Sequence, residues 1–359
     1  MEVYNISSYQ KLVSLVSQFG EVHLVGKSFG TCKLTLDNMD IDFTLPRKEN
    51  KIDKGHKGFE VEIDPFLSFK EAASRRDFTI NAIGYDPIKK EFLDPFNGKK
   101  DIKNKLLKAI DPKKFIEDPL RVYRSVGFAS RFDFSLDEQL FILCQTMINR
   151  GDLGELPKER VYEELKKMFL KSKKPSLGLT LLYNLQEKTF FSELLELEKE
   201  DFLTYIQSFD RFKQNNLILY FALLSLHVNI ERFTNEKQLL QQVKNLLKNY
   251  KTLIELTKNN KYDSYELKLL ATKVELDSLF DFTQALYPAY KKKLQKLYKE
   301  AKDLNILHSK IPPQITGKKL IELGFSPSES FHTVLENLYL LQLKNKLPKT
   351  DKALKEKIQ

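Results

Sequence analysis

The sequence predicts an α+β protein, with a small mixed β-sheet and one or more helices over residues 1–108 and an all-helical, elongated remainder. Two patterns carry that expectation. Before residue 108, short runs alternate apolar and polar residues between Gly or Asp-Asn punctuation, whereas from Lys113 onward apolar residues recur at helical spacing with few breakers. A third observation, the abundance of Leu, Ile, Val and Phe in a chain of 359 residues, supplies enough apolar material for two or three domains with real cores. It also excludes a disordered chain.

Taken in order, Leu12, Val13, Leu15, Val16 and Phe19 lie at helical spacing, with Ser7 or Ser8 as a candidate cap. Val22 to Val25, Thr31 to Leu36 and Met39 to Leu45 then read as strands. In the last, Met39, Ile41 and Phe43 alternate with Asp40, Asp42 and Thr44, so both carboxylates share one face of the sheet. The stretch Gly26-Lys27-Ser28-Phe29-Gly30 reads as a tight turn between strands. It is no phosphate loop of the P-loop type, because Glu21 stands where that motif requires its first Gly.

Further on, Gly55-His56-Lys57-Gly58-Phe59 reads as a basic loop in which His56 is either solvated or in contact with phosphate. Phe78 to Tyr85 fits a strand or a helix end equally well. Leu120, Val122, Tyr123, Val126, Phe128 and Ala129 form an apolar helical stripe, extended by Phe141, Ile142, Met147 and Ile148. Pro157 suits the first turn of another amphipathic helix through Leu165, Met168, Phe169 and Leu170. Residues 176–300 are Leu- and Lys-rich helix without a repeat of fixed period.

Charge narrows the partners. Lys and Arg number 59 against 49 acids, a net charge of +10, which favours a polyanion such as RNA unless the lysines merely reflect genomic codon bias. Cys32 and Cys144 are isolated thiols without metal-ligand spacing, as suits a reducing cytosol. Neither a signal peptide nor a run of about 18 apolar residues occurs, so the reading is cytoplasmic with no membrane partner.

Chemistry concentrates between Glu71 and Arg131. Three clusters of paired charge stand there: Arg75-Arg76-Asp77-Phe78-Thr79-Ile80-Asn81-Ala82, then Asp94-Pro95-Phe96-Asn97-Gly98 with Asp101, then Glu117-Asp118-Pro119-Leu120-Arg121-Val122-Tyr123-Arg124. A carboxylate accepts from an exocyclic amino group while a guanidinium donates to a ring nitrogen or carbonyl. Asp118 and Arg121 together can therefore imitate a Watson–Crick partner, leaving Arg124 for phosphate. Asp118, Arg121 and Arg124 recur at a helical spacing of three, which puts them on one helix face, and an intrahelical salt bridge from Asp118 to Arg121 is the competing reading.

The order of these clusters resembles the class II tRNA nucleotidyltransferase (CCA-adding) and bacterial poly(A) polymerase family. Arg75 to Ala82 resembles its RRDxTxNA motif, Asp94 to Asp101 its DxxxGxxD segment and Glu117 to Arg121 its EDxxR motif. Glu159-Arg160 through Glu164-Leu165 resembles the ERxxxEL motif, and Thr316 to Pro327 a C-terminal TGxDLxxLGxxPG segment, with Lys319 and Ser328 at variant positions. By that resemblance Arg76, Asp77, Asn81, Asp118, Arg121 and Arg124 bind nucleotide, supported by Arg75, Glu117, Glu159 and Arg160. Gly127 stands where relatives often carry another arginine. Lys318, Lys319, Lys344 and Lys346 either track an RNA backbone or form a solvated face.

One departure stands out. The family holds Mg2+ with an Asp-x-Asp pair that follows a GGxxRD loop, and neither precedes Gly26. By register Met1 begins just after that pair, and Asp42 corresponds to a third carboxylate, with Asp40 a possible substitute ligand. The expected head is thus incomplete relative to the family's five strands, with an exposed sheet edge and feeble transfer. Val228 replaces the Asp of a His-Asp pair that some relatives carry beside His227, so no metal site is expected in the helical half. The implied division is a head remnant over 1–108, a nucleotide-recognition neck over 109–172, a body over 173–310 and an RNA-binding tail over 311–359. The implied activity is addition of CMP and AMP, from CTP and ATP, to tRNA 3′ ends. A noncatalytic RNA-binding remnant, or a half-enzyme completed by a separate chain, is the alternative.

Overall fold

A computed structural model describes the chain except residues 52–58, 260–262, 328–330 and 359, and the side chains of 49–51, 59 and 60. Two compact units emerge, Met1–Ile206 with Arg232–Thr234, and Gln207–Glu231 with Asn235–Gln359.

The first unit opens with α1 (Tyr9–Val16), whose start is fixed by the Ser8 hydroxyl accepting from the Lys11 amide. Its Leu12 and Val16 bury against Cys32, Leu34 and Leu45 to form the core of the head. Strands β1 (Glu21–His23), β2 (Thr31–Leu36) and β3 (Met39–Thr44) make an antiparallel meander in that order. The first is shorter than the sequence suggested, because the Val25 amide turns back onto the His23 carbonyl at 3.0 Å. Gly26 and Gly30, with φ of 74° and 63°, bound the expected tight turn, since positive φ costs Gly nothing. The Met1–Val3 segment runs parallel to β3 at Thr44 and makes the sheet mixed, while among the described residues β1 remains an open edge.

Strands β4 (Arg47–Lys51) and β5 (Phe59–Ile63) form a separate hairpin, and the expected loop around His56 lies outside the described residues. Helix α2 (Phe69–Ala73) starts at a reciprocal Ser68–Glu71 capping box. The ambiguous stretch beyond it is neither simple alternative: a single 3₁₀ turn over Thr79–Asn81 leads into the hairpin of β6 (Gly84–Asp86) and β7 (Glu91–Leu93). Helix α3 (Gly98–Lys103) and strand β8 (Leu106–Leu107) close the head.

Helices then dominate: α4 (Pro112–Phe115), α5 (Leu120–Phe132), α6 (Glu138–Arg150), α7 (Lys158–Lys171), α8 (Pro175–Asn184), α9 (Ser192–Leu195) and α10 (Lys199–Ile206). The all-helical expectation needs one correction, because β9 (Ser135–Leu136) pairs in parallel with β8 and fastens α5 to the head. Pro157 stands at the N-cap position just before α7, outside its first turn, and makes no side-chain cap. Helix α5 buries Leu120, Val122, Tyr123, Val126 and Ala129 of the expected stripe, while Phe128 is half-buried and Ile142 of its extension is exposed. A Cβ placed on its Gly127 would meet nothing within 4 Å. Replacing that Gly with Ala should therefore stabilise the protein by about 0.8 kcal/mol through helix propensity alone, read as a raised thermal midpoint.

The second unit holds α11 (Leu217–Leu224), α12 (Lys237–Lys258), α13 (Ser264–Ala271), α14 (Leu276–Leu286), α15 (Lys291–Asp303), α16 (Gly317–Glu322), α17 (Phe331–Leu343) and α18 (Asp351–Ile358). His227 sits exposed in the turn after α11, not within a helix. Lys268 of α13 is buried and donates to the carbonyl of Leu343 at 3.3 Å, placing its charge at the C-terminus of α17. Among the described residues no helix is long and apolar enough to cross a membrane.

Candidate functional site

Asp77 is the node of the site. Only 6% exposed, it accepts from the Arg124 Nε on α5 and from the Asn81 amide at 2.5 Å. Burial alone would raise its carboxyl, but the hydrogen bond and charge of Arg124, then Asn81 and Arg121, outweigh it and hold the group below the ordinary range. Arg124 Nη1 also lies 3.9 Å from Glu164 on α7. A second link runs from Asp118 to Arg160 of α7 at 3.3 Å. The first, third and fourth motifs thus meet through three carboxylate–guanidinium connections.

Two expectations for the third motif need correction. Asp118 is not on the helix face with Arg121 and Arg124: it precedes α5, where its Oδ1 accepts from the Leu120 amide. Nor do Asp118 and Arg121 form the intrahelical salt bridge. Arg121 donates instead to the Lys114 carbonyl at 2.7 Å and more weakly to the Arg75 carbonyl at 3.4 Å. Pro119 is the physical reason, since it breaks the continuity of spacing before the helix begins.

Arg75 and Arg76 share a partner that local pattern could not reveal. Glu2, its side chain only 7% exposed, lies 2.9 Å from Arg75 and 3.8 Å from Arg76, and the Tyr4 hydroxyl donates to it at 3.2 Å. Its partners stand more than seventy positions away in sequence, so only the parallel run of Met1–Val3 beside β3 brings them together. Arg76 Nη1 further donates to the Asn81 carbonyl at 2.9 Å. Among the described residues, the guanidinium donors Arg76 Nε and Arg160 Nη1 are buried with no hydrogen-bond partner. Unsatisfied cationic donors of this kind are costly unless an anion meets them. Of the remaining supporting residues, Glu117 is half-buried and Glu159 is exposed.

The second motif is a brace. Asp94 accepts from the amides of Gly98 at 2.7 Å and Lys99 at 2.9 Å, fixing the start of α3. The Thr79 hydroxyl donates to buried Asp101 at 2.7 Å, and Lys108 lies 3.5 Å from the same carboxylate. A Cβ on Gly98 would come within 2.3 Å of the Thr79 carbonyl oxygen, which explains the Gly. Gly98→Ala should therefore destabilise the head by about 1–3 kcal/mol, visible as a lower denaturation midpoint.

Asp40 and Asp42 share one face of β3, as the alternation predicts. Both oxygens of Asp40 are engaged, one by the Thr35 hydroxyl at 2.8 Å and the other by Lys33 at 3.1 Å. These hydrogen bonds, Thr35's first, lower its carboxyl. Asp42 is exposed opposite Lys33 in the ladder. In the second unit Glu275, Asp277 and His308 do converge, contrary to the impression left by histidine spacing. Glu275 is occupied capping α14 and bonding His308 at 2.9 Å, and Asp277 accepts from Tyr298 at 2.9 Å and from Gln214. In the tail, Lys319 pairs with Asp351 at 3.2 Å and Lys344 lies over the Tyr265 ring, while Lys318 and Lys346 are exposed.

A small sheet followed by helices, with arginines and carboxylates of the first, third and fourth motifs in contact, is an architecture with known counterparts. Residues 6–108 match the poly A polymerase head domain, and 133–194 match the probable RNA and SrmB-binding site of polymerase A. The Multifunctional CCA protein of Stenotrophomonas maltophilia (strain K279a) is 39% identical over 146 residues, covering 40% of this chain and 36% of that protein. The Mannheimia succiniciproducens protein of the same name is 39% identical over 160 residues, 44% and 38% of the respective lengths. These matches thus span little more than a third of the curated relatives. The fold resembles the Bacillus stearothermophilus CCA-adding enzyme in complex with CTP, with a TM-score of 0.74 at 18% identity over 98% of this chain and 87% of that one. It also resembles the Thermotoga maritima CCA-adding enzyme complexed with tRNA, with a TM-score of 0.59 at 20% identity over 99% and 84%. Two stretches of the chain thus match models of polymerase A domains, and the chain shares the fold of CCA-adding enzymes.

Proposed function

We propose that this protein is a tRNA 3′-end nucleotidyltransferase that adds CMP and AMP from CTP and ATP. The observation that carries the reading is the joined cluster of Asp77, Arg124, Asp118 and Arg160, with buried donors on Arg76 and Arg160 left for an anion. Asp118 accepts from the amino group that cytosine and adenine both carry, Arg121 donates to the adjoining ring position, and Arg76 and Arg124 meet phosphate. Asn81 and Asp77 hold those arginines, and Arg75, Glu117, Glu159 and Arg160 support them. In the transfer a 3′-hydroxyl oxygen of RNA attacks the α-phosphorus as pyrophosphate leaves in line, so positioning and charge neutralisation are the protein's main tasks.

Magnesium is the expected metal for such chemistry, with Asp42 and Asp40 as the candidate ligands. The donor set fits poorly, because Asp40 is already satisfied by Thr35 and Lys33. Those contacts favour a noncatalytic RNA-binding role as the second reading. Residues 1–108 would serve as head, 109–172 as the base-reading neck, 173–310 as body and 311–359 as an RNA-binding tail, in a cytoplasmic setting that suits two buried free thiols.

The test incubates purified protein with magnesium, CTP, ATP and tRNA lacking its 3′ end. Transfer abolished by Asp42→Ala supports the enzyme. Nucleotide binding without transfer supports the second reading, and failure to bind either nucleotide sinks both.

A further inference from the structure

The β6–β7 hairpin displays two aromatic rings to solvent. Tyr85 and Phe92 are cross-strand partners, 53% and 59% exposed, with ring centroids 5.2 Å apart and planes inclined at 60°. The Lys99 ammonium lies 3.8 Å from the Phe92 centroid. It has no ion pair with a carboxylate among the described residues.

Each component is held in place by backbone. Next to Tyr85, Gly84 packs so closely that an added Cβ would meet the Phe69 ring at 2.6 Å. The Lys99 amide is fixed by Asp94 at 2.9 Å. Nearby acids are spent internally: Asp86 accepts from the Ile88 and Lys89 amides, Glu91 lies 3.9 Å from Lys89, and Asp101 is buried against Thr79. Exposed Lys90, Lys100 and Lys103 add to the positive field of Lys99. Fixed, open aromatic rings beside mobile ammonium groups combine a stacking surface with phosphate contacts, the pairing that takes unpaired nucleotides.

We propose that Tyr85, Phe92 and Lys99 form a stacking platform for an unpaired base of a single-stranded RNA segment. A base lies against the Tyr85–Phe92 pair, and Lys99 turns from the Phe92 ring to the adjoining phosphate. The inference rests on the RNA-binding part of the function proposed above and extends it to a surface outside the four motifs.

The sequence contains no Trp, so Phe92→Trp places a single indole on the platform of the full-length chain. Its fluorescence is titrated with a short oligocytidylate, while anisotropy of the same labelled RNA reports binding independently. Quenching that follows binding, with affinity reduced about tenfold in Tyr85→Leu/Phe92→Leu, is the expected result. Leucines keep a cross-strand apolar contact, and the thermal midpoint of the double variant separates lost stacking from unfolding. Undiminished RNA affinity in that folded variant, or indole emission indifferent to RNA that demonstrably binds, overturns the platform and leaves the pair a hairpin brace. Absence of RNA binding by the wild-type chain refutes the RNA reading and the platform together.

Discussion

Asp77→Ala should lower the stability of the protein by about 3 kcal/mol and abolish detectable CTP and ATP binding, because it removes the buried anion on which Arg124 and Asn81 converge. The stability effect arises from a guanidinium deprived of its main partner, with Glu164 at 3.9 Å only a weak replacement. Asp77→Asn, which keeps the shape but not the charge, should fall between. The pH dependence has a definite sign. Since the folded-state pKa is depressed, the contribution is complete above the unfolded carboxylate value near about 3.9 and is lost as pH falls through the lower folded value. Denaturation midpoints of wild type and Asp77→Asn should therefore converge on acidification. A constant gap across that range would show that Asp77 acts by packing alone.

Arg121→Ala should weaken binding of both CTP and ATP by roughly 1–3 kcal/mol, the loss expected for a paired contact to a base edge. Arg121 also grips the Lys114 carbonyl at 2.7 Å, which ties the end of α4 to α5, so part of the loss is positional. Arg121→Lys tests the division: it keeps a charge but loses the planar fork, and should recover only part of the affinity. Equal binding by wild type and both variants, measured calorimetrically, would leave Arg121 with its carbonyl contacts and no role in reading a base.

Much of this architecture was legible because its causes are local. Period-two alternation in Met39 to Thr44 gives the strand, with Ile41 and Phe43 half-buried and Met39 exposed, and helical spacing in Leu120 to Ala129 gives both the helix and its buried face. The site was legible as motifs, but its wiring was not. A sequence shows Asp118 three positions before Arg121 and suggests a shared helix face; Pro119 instead starts the helix afterwards and frees Asp118 to meet Arg160, forty-two positions away. Glu2 is the extreme case, since neither charge patterning nor periodicity connects it to Arg75. Gly98 and Asp101 belong to a motif shared with the family, yet their contacts brace Thr79.

We propose that Asp118, Arg121, Arg76 and Arg124 form a pocket selective for bases with an exocyclic amino group at the Watson–Crick edge position shared by cytosine and adenine. Calorimetric titration of the full chain with CTP, ATP, UTP and GTP tests it most directly. Such a pocket binds CTP and ATP over UTP and GTP, with that preference erased by Asp118→Ala. Equal affinity for all four nucleotides, unchanged by Asp118→Ala, would contradict it.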